Sequence, residues 1–241
     1  MTAPAKNRPR AARARVTPQL AIAGAEPVEK PRTAGDFYPT DPRLCRAVCR
    51  WLRATIGKVS LIVEPSAGDG PFIVATQESF PEALVTLAVE PNPGPNLVAR
   101  AGEPTTWVQR WEDDLLAPWH WDTLVVGNPP FELAERHIAL ALMRIGHHAA
   151  RAPERRWLAF VLRASMLAGD ERFRTLYDDA PRPGLFGDTA APGGLRYVRH
   201  LVPRPSFSDD GGTDGAEYVL AVWQAGWHGP YEGGWLNWRP A

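Results

Sequence analysis

The sharpest chemical signal in the chain is Val125-Val126-Gly127-Asn128-Pro129-Pro130-Phe131, a short apolar run that ends in Asn-Pro-Pro-Phe. An amino group on an aromatic ring is a poor nucleophile, because its lone pair is delocalised into the ring. Two acceptors placed on its N–H groups favour a pyramidal nitrogen and free that lone pair. The Asn128 side-chain oxygen supplies one acceptor and the Pro129 carbonyl the other. Pro129 and Pro130 stiffen the backbone, so the carbonyl stays aimed. Phe131 offers a ring on which a planar substrate stacks. In such a site, positioning and fixed dipoles carry most of the rate. Pro-Pro after a strand is otherwise only a turn; the flanking Asn and Phe are what make this one chemical.

Three upstream segments have the residue types of a ligand site. Glu64-Pro65-Ser66-Ala67-Gly68-Asp69-Gly70 follows an apolar run. Gly68 and Gly70 let the backbone turn sharply and approach a ligand with no Cβ in the way. The third Gly of a dinucleotide fingerprint is missing, which argues against a pyrophosphate cradle. A ligand with an amino-acid moiety and a ribose suits a short acidic Gly loop better; taken alone, the segment is equally a plain loop. Glu90, followed by Pro91, closes the next apolar run, where an acidic residue accepts hydrogen bonds from ribose hydroxyls. Alone it reads as a solvated strand-end Glu. Asp114 with Leu115 follows a further run and suits an adenine amino group and ring, with Asp113 competing for the role and helix capping an equal account.

The elements that must position these residues are legible from periodicity. Leu44, Val48, Trp51, Leu52 and Ile56 recur at helical spacing behind Asp41-Pro42, an N-cap followed by Pro at the first helical position. Short apolar runs predict strands over 59–63, 84–89, 105–109, 122–126, 157–162, 197–202 and 218–223. Helices are expected from Pro71 to Glu78 and along Leu133, His137, Ile138, Leu140, Ala141 and Ile145. Alternating strands and helices, with unbroken apolar strands, indicate a parallel sheet covered on both faces. Each chemical segment follows a strand end, where such sheets bind ligands.

Composition sets the frame. The chain has 241 residues, 44% apolar and 22% charged, enough for one α/β domain with a tail. Net charge is zero, yet residues 1–58 hold 12 Lys/Arg against 4 Asp/Glu. Residues 1–33, with five Pro and no periodicity, read as a disordered basic tail, and 34–241 as the catalytic domain. The basic start is compatible with nucleic-acid contact, although charge alone favours a solvated tail. Cys45 and Cys49 do not complete a zinc site, and no metal is expected. They read as buried thiols in a reducing cytoplasm. No apolar run reaches the roughly 20 residues of a membrane span. Pro181–Gly194 and Ser208–Gly215 are Gly/Pro/Asp-rich loops beside late strands, placed to face substrate. Trp223, Trp227, Trp235 and Trp238 read as core-edge or surface cover, His137 and His200 as packing residues. Arg163 follows the fifth strand, where it could face substrate, and is not chosen as a site residue.

Together these segments resemble the class I S-adenosylmethionine-dependent methyltransferases, and within them the N6-adenine DNA methyltransferases, small phage-type members included. Phe37-Tyr38-Pro39-Thr40 resembles their N-terminal cofactor motif, Glu64 to Gly70 the cofactor loop, Glu90 with Pro91 the ribose ligand, Asp114 with Leu115 the adenine ligand, and Asn128 to Phe131 the catalytic loop. Arg204-Pro205-Ser206-Phe207 to Trp223 resembles the late hairpin of the phage-type enzymes. The likeness spans roughly residues 36–224, in family order. It departs at Thr40-Asp41-Pro42, where the family often has Thr-Pro directly, which puts the contact of Thr40 in question. The resemblance implies a Rossmann-like fold with a seven-stranded, mostly parallel sheet, helices on both faces and a late antiparallel strand. It implies S-adenosylmethionine as cofactor and base flipping of an adenine in DNA in a cytoplasmic enzyme. RNA methyltransferases acting on adenine, protein glutamine methyltransferases and an inactive scaffold of the same fold are the alternatives; the late hairpin favours DNA.

Overall fold

The computed structural model describes residues 39–83, 85–89, 105–108, 122–146, 153–169, 172, 194–207 and 215–239. The expected tail at 1–33 and the loops at 181–193 and 208–214 lie outside them.

Helix α1 (Pro42–Ile56) starts as its sequence dictates: the Asp41 carboxylate accepts the Arg43 amide at 2.8 Å, with Pro42 in the first turn. Gly57, at φ 79°, ends it. Strand β1 (Leu61–Glu64) leads through a turn into α2 (Pro71–Ser79). Then come β2 (Val85–Val89), β3 (Thr105–Val108) and β4 (Thr123–Gly127). Helix α3 (Ala134–Gly146) precedes β5 (Arg156–Arg163), which runs into a 3₁₀ turn, Ala164–Ala168. Strands β6 (Gly194–Val202), β7 (Tyr218–Gln224) and β8 (Glu232–Asn237) complete the order.

The sheet runs β3-β2-β1-β4-β5-β7-β6-β8. Strands β3, β2, β1, β4 and β5 pair in parallel, and β7 lies antiparallel between β5 and β6. Strands β1, β4 and β7 are buried at every position, which is why they read as unbroken apolar runs. Two cores flank the sheet. Leu44, Val48 and Leu52 of α1 and Phe72 of α2 pack on one face with Leu124, Val126 and Leu220. Ile138, Ala141 and Ile145 of α3 pack on the other with Val125, Leu158 and Phe160. The buried Arg156 donates to the Ile145 carbonyl at 3.1 Å and ties the end of α3 to the start of β5.

Among the described residues the sheet has eight strands where seven were expected. Strand β8 pairs in parallel with β6, from Tyr197↔Glu232 to Val202↔Asn237. Its sequence, Glu-Gly-Gly-Trp-Leu-Asn, turns one apolar side chain, Leu236, into the core and carries two glycines, so period-two patterning does not reveal it. Arg199 holds it instead. Its guanidinium lies 5.0 Å from the Trp51 ring centroid and 5.4 Å from that of Tyr197, and it bonds both the Glu232 carbonyl and carboxylate. Gly234 leaves room for it: a Cβ there would stand 3.0 Å from Arg199 Nη1.

Candidate active site

Strand order reverses between β1 and β4, which are neighbours in the sheet although 58 residues, 65–122, separate Glu64 from Thr123. A crevice opens beyond the carboxyl ends of strands at such a switch point. With Val63 paired to Val125, the turn after Glu64 and the segment after Gly127 emerge side by side. The first and last chemical segments of the sequence therefore meet.

Glu64 is 1% exposed. Its Oε1 accepts the Ser66 amide at 3.1 Å. The carboxylate also lies against Gly127, where a Cβ would stand 2.2 Å from Oε1. Any other residue at 127 would displace the carboxylate, so the glycine is a packing requirement between the two strand ends. Glu64 thus fixes the turn from behind. Gly68 (φ 52°) and Gly70 (φ 80°) take left-handed conformations, and the Gly70 amide closes the turn on the Ala67 carbonyl at 2.7 Å. Pro65 and Ala67 are buried, the latter against Ile73 and Ala88. Gly70, the N-cap of α2, brings no side chain to the first amides of the helix, an arrangement that suits a carboxylate or other small anion.

On the β4 side, the Asn128 Nδ2 donates to Thr40 Oγ1 at 3.1 Å. Its Oδ1 is buried and, among the described residues, has no hydrogen-bond partner. The carbonyls of Pro130 and Phe131 accept the amides of Leu133 and Ala134 and start α3. Among the described residues no amide takes up the Pro129 carbonyl. These two acceptors, one residue apart, have no donor among the described residues. Phe131 is half-buried, its ring centroid 5.7 Å from that of Tyr218 and 6.2 Å from that of Phe207. The Arg163 guanidinium lies over the Phe131 ring at 4.5 Å.

Several of these partners were not singled out by sequence. His137 reads as a packing residue, yet its Nδ1 lies 3.3 Å from Ser66 Oγ and joins α3 to the turn after β1. Thr40, whose contact the sequence left in question, reaches Asn128. Tyr218 and Phe207 carry no sequence signal beyond their place in the late hairpin, and Arg163 only its place at a strand end. Phe37, Tyr38, Glu90, Pro91, Asp114 and Leu115 lie outside the described residues. The two cysteines of α1 are buried; burial, and secondarily neighbouring charge that includes Glu64, pushes both thiols well above their ordinary range. Among the described residues no group of three or more His, Cys, Asp or Glu is placed to hold a metal ion, and no helix is long and apolar enough to cross a membrane.

The type II methyltransferase M.XamI of Xanthomonas campestris pv. amaranthicola is 32% identical to the chain over 149 residues, which is 56% of this chain and 25% of that protein. Among solved structures, the modification subunit of a putative type I restriction enzyme from Vibrio vulnificus YJ016 superposes with a TM-score of 0.50 at 16% identity, covering 79% of this chain and 46% of that one. The methyltransferase subunit of a type I restriction-modification system from Streptococcus thermophilus gives a TM-score of 0.50 at 14% identity, covering 80% and 46%. The chain has the class I methyltransferase fold and resembles DNA methyltransferases. It spans about a quarter of the length of the curated relative and under half of each of these two structures. No family model matches it. In this light the β1 turn and the Asn128 segment lie on the two sides of the switch point of a methyltransferase fold, and β8 is the edge strand beyond β6.

Proposed function

We propose that the chain transfers a methyl group from S-adenosylmethionine to the exocyclic N6 amino group of adenine in DNA. The observation that carries this reading is the Asn128 side chain: its amide nitrogen is held by Thr40, so its buried oxygen is the atom left to accept a hydrogen bond from a substrate amine. A buried acceptor with no donor costs about 1–3 kcal/mol, and a bound amino group relieves that cost. The Pro129 carbonyl takes the second N–H.

The residues at the β1 turn fit the cofactor. Glu64 holds a turn whose two left-handed glycines present backbone without side chains, and the uncapped start of α2 suits the carboxylate of an amino-acid moiety. Glu90 and Asp114 are assigned to its ribose and adenine by resemblance. S-adenosylmethionine, when bound there, would supply an electrophilic methyl carbon on a sulfonium: the N–C bond would form as the C–S bond breaks, a neutral thioether would leave, and the methylated nitrogen would release one proton to solvent. The chain aligns the amine with that carbon: Asn128 and Pro129 orient the nitrogen lone pair, and Phe131 supports the ring.

Two things favour DNA: the relatives, a type II methyltransferase and two type I restriction-modification subunits, and the resemblance of the late hairpin to that of the phage-type DNA enzymes; Phe131, where protein glutamine methyltransferases carry Tyr, argues only against a protein substrate. N6 lies inside the duplex stack, so the target base leaves it at a cost of a few kcal/mol. The test is transfer of labelled methyl to separate pools of DNA, RNA and protein, with digestion to the modified unit. Label in N6-methyladenine of DNA is the expected result; label confined to RNA or to glutamine overturns the assignment of substrate.

A further inference from the structure

The contact of Arg163 with Phe131 has no function in the chemistry described so far. Arg163 is the last residue of β5, and its guanidinium carbon stands 4.5 Å from the Phe131 ring centroid. Tyr218 and Phe207 pack on Phe131 from the hairpin side and on each other at 4.6 Å, so that flank is closed by rings. The guanidinium covers a face of Phe131, the aromatic that ends the Asn-Pro-Pro segment.

The backbone beneath Arg163 is anchored. Arg163 pairs with Tyr218 across β5 and β7, and the Ala164 amide donates to the Glu217 carbonyl at 2.8 Å. The following 3₁₀ turn is clamped by Arg172, whose Nε donates to the Met166 carbonyl at 3.1 Å and whose Nη1 pairs with Glu135 of α3 at 2.9 Å. Gly169 makes room for that clamp, since a Cβ there would stand 2.7 Å from the Arg172 guanidinium. The main chain is thus tied to the helix that follows Phe131, and Arg163 is delivered to the ring from an anchored strand end. A guanidinium is planar and stacks on π faces, which an ammonium does not do. A planar base seated between the two would meet the Phe131 ring on one side and the guanidinium on the other.

We propose that Arg163 is a base-binding residue, the second wall of the seat whose first wall is Phe131, with the target base held between ring and guanidinium. This rests on the reading that the site takes a planar amino base. The test uses the full chain saturated with S-adenosylhomocysteine and 2-aminopurine deoxyriboside as a fluorescent base probe, whose emission is quenched on stacking. The wild type should quench it, and Arg163→Ala should weaken binding about tenfold, the scale of one lost base stack. Arg163→Lys, which keeps the charge and loses the plane, should bind no better than Arg163→Ala. Calorimetry should give unchanged S-adenosylhomocysteine affinity in both variants, which shows that they are folded. Wild-type affinity in Arg163→Ala overturns the proposal, as does full rescue by Lys, which would mark a charge contact instead. A wild type that does not quench the probe also overturns it. Arg163-dependent quenching in a protein that puts no methyl on adenine would leave the seat standing and remove the assigned reaction.

Discussion

Asn128 and Thr40 lie 88 residues apart in the chain, yet the Asn128 amide nitrogen donates to the Thr40 hydroxyl at 3.1 Å. Thr40 sits one residue before the N-cap of α1, and Asn128 one residue after the end of β4. With the amide nitrogen so engaged, Oδ1 is the end of the asparagine amide left for the proposed substrate amine. Asn128→Ala should lower kcat by about 10²–10³-fold, the scale of losing one preorganised hydrogen-bonding group, while cofactor binding by calorimetry persists. Thr40→Val should cost about fivefold in kcat, the worth of ~1 kcal/mol of positioning, and Thr40→Ser should restore it. Equal kcat in wild type and Thr40→Val would show that the bond does not position the amide.

Gly127→Ala tests the meeting of the two strand ends. The added methyl would stand 2.2 Å from a carboxylate oxygen of a residue that is almost wholly buried. Overpacking of this kind costs about 1–3 kcal/mol. Thermal unfolding should show a clear fall in Tm, and affinity for S-adenosylmethionine should fall with it, because Glu64 holds the cofactor turn through the Ser66 amide. An unchanged Tm would mean that Glu64 has somewhere else to go.

The cap of α1 carries a pH signature. The hydrogen bond from the Arg43 side chain is the largest influence on Asp41 and holds its carboxyl below the ordinary range, against a smaller opposing effect of burial. A depressed folded-state pKa stabilises the fold above the unfolded value, and the contribution fades as pH falls through the folded one. Asp41→Ala should cost about 1 kcal/mol near neutral pH. Denaturant titrations at successively lower pH should show that difference shrinking once Asp41 in the wild type is protonated. A constant difference down to strongly acidic pH would argue against the charged cap.

Cys45 and Cys49 should resist alkylation in the folded protein even at mildly alkaline pH, because burial keeps both thiols protonated and out of reach. Mass spectrometry after iodoacetamide treatment should find modification rising only with denaturant. Fast labelling in native buffer would place these thiols at the surface.

Most of the fold was legible because local patterns carry it. The buried strands are apolar apart from polar residues at their ends, such as Glu64, Thr123 and Gln224, α1 announces itself with Asp41-Pro42, and Gly68 and Gly70 mark the turn after β1. The reading failed at β8, where two glycines and one inward leucine leave no period, and an arginine on the neighbouring strand supplies the hold. It also undervalued His137, whose helical spacing is that of a packing residue while its ring reaches Ser66.

The sequence by itself determined which chemical groups stand at the strand ends: an acidic glycine turn after β1 and Asn-Pro-Pro-Phe after β4. Only the tertiary structure decided how they meet. Sheet order placed β1 beside β4, which pressed Glu64 onto Gly127. The entry to α1 carried Thr40 to Asn128, and the end of β5 carried Arg163 to Phe131. The physical reason is that local periodicity records which face of an element is buried, whereas contacts between distant strand ends depend on pairing order, which no short stretch of sequence encodes.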